Sequence, residues 1–314
     1  MYKAVNWPIT ICLFLLLSMG TLVIFSTSTS LGLQQLIFSI IGLILYFFIS
    51  QLDYKSWAHF VKSAYLLIIL LLILVFILGI ESRGAIRWVP FGLFNIQPSE
   101  LAKPVLILTL CYFWVNHLPK WINILKSALI TIPVVFLVFR QPDLGTTLTI
   151  LALWITVLCA VNLSLKKFLS LAIIFLLLIP LTWFFLHDYQ KQRIFSYLSP
   201  ESDPLQVGYT AIQSTIAVGS GQFWGRGLGY GTQSRLQFLP EYRTDFIFAS
   251  IAEELGLLGS SIIIGVYLFL AYISLKVAFS APDYLGYLIA LSVGFLTVFQ
   301  AIVNISMNIG LLPI

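Results

Sequence analysis

The chain has 314 residues, 60% hydrophobic and 9% charged, with a mean hydropathy of +1.00 and a formal net charge of +5. A soluble globular domain carries about 25% charged residues, so an ordinary water-soluble core is excluded and lipid must solvate much of the surface. In that setting the positive charge reads as a topological signal at the membrane, and no nucleic-acid partner is expected.

Nine apolar segments follow along the chain, at 8–27, 31–51, 63–80, 101–116, 122–139, 144–163, 168–187, 246–275 and 285–308. Each is near the length of about 20 residues that a helix needs to cross a bilayer core. Lipid leaves the backbone only helices or closed barrels, and continuous runs fit helices where a barrel would show short alternation. The expected fold is all-α, a polytopic transmembrane bundle of nine helices. The segment beginning at 246 exceeds one crossing, so its first turns should stand outside the lipid or the helix should tilt. Residues 188–244 are polar, rich in Gly, Ser and Gln, and carry aromatics and Arg. A connection of that length points to a functional, non-cytoplasmic loop. Cys12, Cys111 and Cys159 lie far apart, as do His59, His117 and His187, so neither a disulfide framework nor a zinc site is expected. No internal repeat is evident, which weighs against an inverted-repeat transporter.

With a cytoplasmic N-terminus, Lys3, Lys55, Lys62, Lys120, Lys126, Lys166, Lys167 and Lys276 all fall inside, as the positive-inside rule requires. The arginines do not follow it. Arg83, Arg87, Arg140, Arg193, Arg226, Arg235 and Arg243 fall on the outer side. Guanidinium binds phosphate and carboxylate as a bidentate fork, so an outer site for an anion is expected, with Arg87, Arg193 and Arg243 as candidates. The chain stops at Asn308-Ile-Gly-Leu-Leu-Pro-Ile314 after an odd number of crossings, and a further C-terminal piece is expected.

Three blocks carry chemistry. In Thr244-Asp245-Phe-Ile-Phe, Thr244 and Asp245 are both competent helix N-caps. Asp245, Ala249 and Glu253 repeat every four residues, which on a helix places both acids on one stripe facing protein or water. Around Pro98-Ser-Glu100, Glu100 and Lys103 are three apart and share a helix face. They form either an ordinary ion pair or a cavity wall. In Arg140-Gln-Pro-Asp143, Asp143 can cap the following helix or bind a hard divalent cation. The run Gly219-Ser-Gly-Gln-Phe-Trp-Gly-Arg-Gly-Leu-Gly-Tyr-Gly231 lacks a Walker lysine, and reads as a hinge or as backbone able to approach a phosphate. Gln300, Asn304 and Asn308 form a polar stripe suited to interhelical hydrogen bonds.

The motifs Gly84-Ala-Ile-Arg-Trp88, Gln97-Pro-Ser-Glu-Leu-Ala-Lys103, Gln141-Pro-Asp-Leu-Gly145, Gly231-Thr-Gln-Ser, Phe238-Leu-Pro-Glu241, Thr244-Asp-Phe-Ile-Phe248 and Glu253-Glu-Leu-Gly256 occur in the family's order. Together they resemble the SEDS family (shape, elongation, division and sporulation), its RodA branch more than its FtsW branch. Two features depart from the pattern. Arg243 stands where the family usually has His, and the family's tenth helix and its Pro- and Gly-rich loop are not in this sequence. The resemblance implies a peptidoglycan glycosyltransferase that polymerises lipid II in the bacterial cytoplasmic membrane, partnered by a class B penicillin-binding protein. It further implies Asp245 as the catalytic carboxylate, Glu100, Lys103 and Glu253 as substrate-binding or cavity residues, and a divalent cation, Mg²⁺ or Mn²⁺, with Asp143 as a ligand. A lipid II flippase, or an FtsW-like division protein, is the alternative implied by the same scaffold.

Overall fold

The computed structural model describes residues 5–82, 85–91, 94–182, 184, 191, 195 and 207–313. Within them the expected helices form at α1 Trp7–Thr27, α2 Thr29–Ser50, α3 Val61–Leu78, α4 Pro98–Val115, α5 Trp121–Arg140, α6 Leu144–Ala160 and α7 Leu165–Thr182. Then come α8 Val207–Ser220, the single turn α9 Thr232–Arg235, α10 Ile247–Phe279 and α11 Tyr284–Asn308. Six of these are long and apolar enough to cross a membrane, and the protein is a multi-pass membrane protein. Large apolar side chains such as Ile77, Leu66 and Phe48 are more than 60% exposed, a surface that only lipid tolerates over such an extent.

Two elements were not expected. Strands β1 Ile80–Ser82, β2 Ala85–Phe91 and β3 Phe94–Ile96 pair antiparallel in that order between α3 and α4. Helix α8 lies inside the segment read as a loop. Its sequence is too short and too rich in Gly, Ser and Thr for a hydropathy search, yet Gly208, Ser214 and Ala217 are buried.

The chain forms two compact units. One comprises residues 52–172 and 274–297. Its core is Leu72 and Val75 of α3, Leu106, Leu110 and Trp114 of α4, Val138 of α5 and Leu153 and Val157 of α6, all at most 1% exposed. Polar bonds tie the helices where apolar packing is non-directional. Trp154 Nε1 donates to Ser127 Oγ at 3.1 Å, Tyr65 donates to the Ile130 carbonyl at 2.8 Å, and Gln141 Nε2 donates to the Leu72 carbonyl at 3.0 Å. Just before α11, Asp283 pairs with Lys55 at 2.7 Å and accepts from the Tyr54 hydroxyl at 3.0 Å.

The other unit comprises residues 1–51, 173–273 and 298–314. Here Val23 packs with Phe248, Ile251 and Ile263, and Cys12 with Val266 and Leu270. The extra length of α10 is absorbed by a break at Gly256, whose φ of 66° and ψ of −161° are open essentially to glycine alone. A broken helix leaves carbonyls and N–H groups without partners, which is costly away from water. Residues 222–227 fill the gap. The Arg226 and Gly227 N–H groups donate to the carbonyls of Glu253 and Glu254 at 2.9 and 3.0 Å. The Leu257 and Leu258 N–H groups donate to the carbonyls of Gln222 and Phe223 at 2.9 and 3.3 Å. Residues 222–227 of the glycine-rich run are therefore hydrogen-bonded into the break as an insert. Gly225, at φ +82°, approaches so closely that an added Cβ would lie 2.2 Å from the Glu254 carbonyl oxygen.

Candidate active site

Asp245 sits at the end of a tight turn immediately before α10. The Thr244 and Phe246 N–H groups both donate to the Glu241 carbonyl, at 3.0 and 3.2 Å. Buried Tyr242 and Phe246 anchor the turn in a cluster with Leu239, Ala217 and Ala249, while Asp245 itself is exposed. The helix start puts partial positive charge beside the carboxylate. The Asp245 carbonyl accepts from Asn304 Nδ2 at 3.0 Å and from Asn308 Nδ2 at 2.9 Å. Asn304 and Asn308 of the polar stripe thus bind the backbone of Asp245 just before α10, and Asn308 also binds the first turn of α10. Thr244 does not cap α10; its hydroxyl donates to Glu241.

Of the stripe expected to face protein or water, Asp245 is exposed and the rest faces protein. Ala249 and Glu253 are 0% exposed. The physical reason is the segment 221–235, which packs over that face of α10. The Glu253 carboxylate accepts from the N–H groups of Gln233 and Ser234 at 2.8 and 3.1 Å and from the hydroxyls of Ser234 and Thr232 at 3.0 and 3.3 Å. It holds the start of α9 in place. Glu254 is equally buried and takes the Ser26 hydroxyl at 2.7 Å. Nothing in the sequence near Ser26 marks it for this role.

The arginines of this unit bind partly to the chain. Arg226 donates to the Ser220 carbonyl and to the Thr232 hydroxyl, and Arg235 to the Gly229 carbonyl. Arg243 lies 4.5 Å over the ring of Tyr242 and donates to Thr27 Oγ1 at 3.4 Å. Arg193 and Arg83 lie outside the described residues.

Glu100, Lys103, Arg87 and Asp143 belong to the other unit. Lys103 Nζ stands 2.7 Å from both carboxylate oxygens of Glu100, its side chain 4% exposed against 52% for Glu100. The partly exposed acid neutralises a buried ammonium that would otherwise carry the full cost of desolvation. Arg87, on β2, donates to the carbonyls of Gln141 and Pro142 and so ties the sheet to the turn after α5. In that turn Asp143 is 7% exposed and caps α6: Oδ1 accepts from the Thr146 N–H at 3.1 Å, and Oδ2 accepts from the Thr146 hydroxyl at 3.0 Å and from Gln97 Nε2 at 3.3 Å. Among the described residues no group of three or more His, Cys, Asp or Glu could hold a metal ion, and both Asp143 oxygens already serve the chain. Asp143 is therefore the side-chain cap of α6 and is held by Gln97 as well.

Residues 6–314 match the family model for the cell cycle proteins FtsW, RodA and SpoVE. The chain is 39% identical over 283 residues to the peptidoglycan glycosyltransferase MrdB of Escherichia coli, covering 87% of this chain and 75% of that one. It is 33% identical to stage V sporulation protein E of Bacillus subtilis, covering 98% and 88%. A chain of a solved peptidoglycan synthase complex, described as coordinating polymerization and crosslinking, superimposes with a TM-score of 0.86 at 26% identity, covering 100% of this chain and 90% of that one. The Thermus thermophilus rod shape determining protein RodA shares the fold, with a TM-score of 0.70 at 24% identity and coverage of 96% and 85%.

Proposed function

The chain belongs to the FtsW, RodA and SpoVE family of cell cycle proteins, and on that premise we propose that it is a peptidoglycan glycosyltransferase polymerising lipid II for cell-wall elongation. The observation that carries the chemical part is Asp245: an exposed carboxylate beside a helix N-terminus, its backbone held by two asparagines.

Lipid II presents its disaccharide α-linked to undecaprenyl pyrophosphate, and the glycan strand is β-1,4-linked. One displacement with inversion makes the new bond. The acceptor sugar's hydroxyl oxygen attacks the anomeric carbon, its proton passes to Asp245, and the carbon–oxygen bond to pyrophosphate breaks. A positioned base contributes about 10²–10⁴-fold. The remainder comes from orientation and from donors aimed at the developing charge. Arg226, Arg235 and Arg243, in the same unit as Asp245, suit the pyrophosphate. A guanidinium has five N–H donors, and Arg226 commits two of them to described residues while Arg235 and Arg243 commit one each. Mg²⁺ is commonly held by substrate phosphates with one or two carboxylates, so a divalent cation belongs to this reading as a companion of the pyrophosphate.

The proposed setting is the bacterial cytoplasmic membrane with the N-terminus inside and Asp245 on the outer face, in complex with a class B penicillin-binding protein. The test uses the full-length protein with that partner and lipid II. Asp245→Asn should abolish glycan polymer while folding and partner binding persist. Polymer formation at the wild-type rate would remove Asp245 as the base. Lipid II translocation that depends on Asp245 without any polymer would instead favour a flippase. Chelation should slow the reaction, and an unchanged rate would count against the cation.

A further inference from the structure

Asn308 is fully buried at the end of α11 and is tied to three parts of the fold. Its Oδ1 accepts from the Ala249 N–H at 2.9 Å. That N–H is one of the four that the start of α10 leaves without an intrahelical partner. Its Nδ2 donates to the Asp245 carbonyl at 2.9 Å and to the Asn304 carbonyl at 2.8 Å. Its own carbonyl accepts from the Ser214 hydroxyl of α8 at 2.7 Å. One amide therefore bridges the carbonyl before the first turn of α10 and an N–H within it. With Asn304 Nδ2 on the same Asp245 carbonyl at 3.0 Å, both lone-pair directions of that oxygen are engaged. The peptide plane after Asp245 is fixed, and the direction in which its side chain leaves the backbone is fixed with it.

We propose that Asn308, assisted by Asn304, is a positioning residue for the carboxylate of Asp245, capping α10 from another helix so that the backbone of residue 245 holds one orientation. The proposal rests on the reading of Asp245 as the base. The amide is suited to the task because it donates and accepts at once, which neither a carboxylate nor an alkyl group does. A displacement of about 1 Å at a reacting group can cost about 10²-fold in rate, so loss of the clamp should appear in kcat. The affinity for lipid II, set by other groups, should change little.

The experiment measures kcat and KM for lipid II with the full-length protein and its partner, together with Tm. Asn308→Asp keeps the shape and the acceptor for Ala249 but replaces the donor facing the Asp245 carbonyl. It should lower kcat about 10- to 100-fold with KM within about threefold. Asn304→Ala removes the second donor from a less buried position and should lower kcat less, in the same pattern. Ser127→Ala, which loses the bond to Trp154 in the other unit, is the control for stability alone. It should keep kcat at a comparable loss of Tm. If Asn308→Asp and Asn304→Ala retain wild-type kcat while Asp245→Asn is inactive, the clamp is overturned and the base stands. If kcat merely tracks Tm across all variants, Ser127→Ala included, Asn308 is only structural. If Asp245→Asn is fully active, the base falls and the clamp with it.

Discussion

Replacing Glu253 tests how the fold is held together beside Asp245. Its carboxylate is fully buried and accepts four hydrogen bonds, two of them from the backbone N–H groups of Gln233 and Ser234. A buried donor left without an acceptor costs about 1–3 kcal/mol. In Glu253→Gln the carboxamide oxygen can serve one backbone N–H, while its NH₂ faces the other donor, so one N–H is orphaned at about 1–3 kcal/mol. Glu253→Ala orphans both, for about 2–6 kcal/mol, less whatever entering water restores. The order of stability should be wild type, then Gln, then Ala. Thermal unfolding in detergent measures it, and amide hydrogen exchange at residues 233–235 locates it. Trypsin should also cut sooner after Arg235. The reasoning is refuted if Glu253→Ala melts with the wild type and the amides of Gln233 and Ser234 stay equally protected.

Two further outcomes follow from the same geometry. Gly225→Ala combines a positive φ with a Cβ placed 2.2 Å from the Glu254 carbonyl oxygen. The conformational cost alone is about 1–2 kcal/mol and overlap adds about 1–3 kcal/mol, so the variant should melt well below Gly42→Ala, whose Cβ meets nothing within 4 Å; equal Tm values would deny that the insert is tightly fitted. The Lys55 ammonium, and then the Gly286 N–H, hold the Asp283 carboxyl below its ordinary value of 3.8. A carboxyl whose value is lowered in the folded state stabilises above the unfolded value, and that contribution is lost as pH falls through the folded one. Wild type should therefore exceed Asp283→Asn in stability at neutral pH, and the gap should close on acidification below about 3.8; a gap independent of pH would contradict the ion pair's role.

The membrane helices were legible because their signal is local. A run of about 20 apolar residues can satisfy its backbone in lipid only as a helix, and the ends of α1 to α6 fall within a few residues of the expected ones. The motif residues were legible for the same reason, since Gln97-Pro98-Ser99 starts α4 and Asp143 starts α6 wherever those helices pack. What each acid does was not. Asp245 and Glu253 are eight positions apart with the same apparent face, yet one is exposed and the other wholly buried. The difference lies in the segment 221–235, which fills the break at Gly256 and brings Thr232, Gln233 and Ser234 onto the Glu253 carboxylate.

Sequence by itself determined where most of the apolar helices lie, their family and the polar residues available for chemistry, because length, hydropathy and helix-start residues act within a few turns; it did not determine how many helices cross, since nine crossings were expected and six described helices are long and apolar enough to make one. Only the tertiary structure decided the sheet between α3 and α4, the broken α10, the burial of Glu253 and Glu254, and the hold of Asn304 and Asn308 on the backbone of Asp245. Those depend on where unpaired N–H and carbonyl groups find partners across long separations in the chain, and a buried polar group takes the partner that packing brings to it.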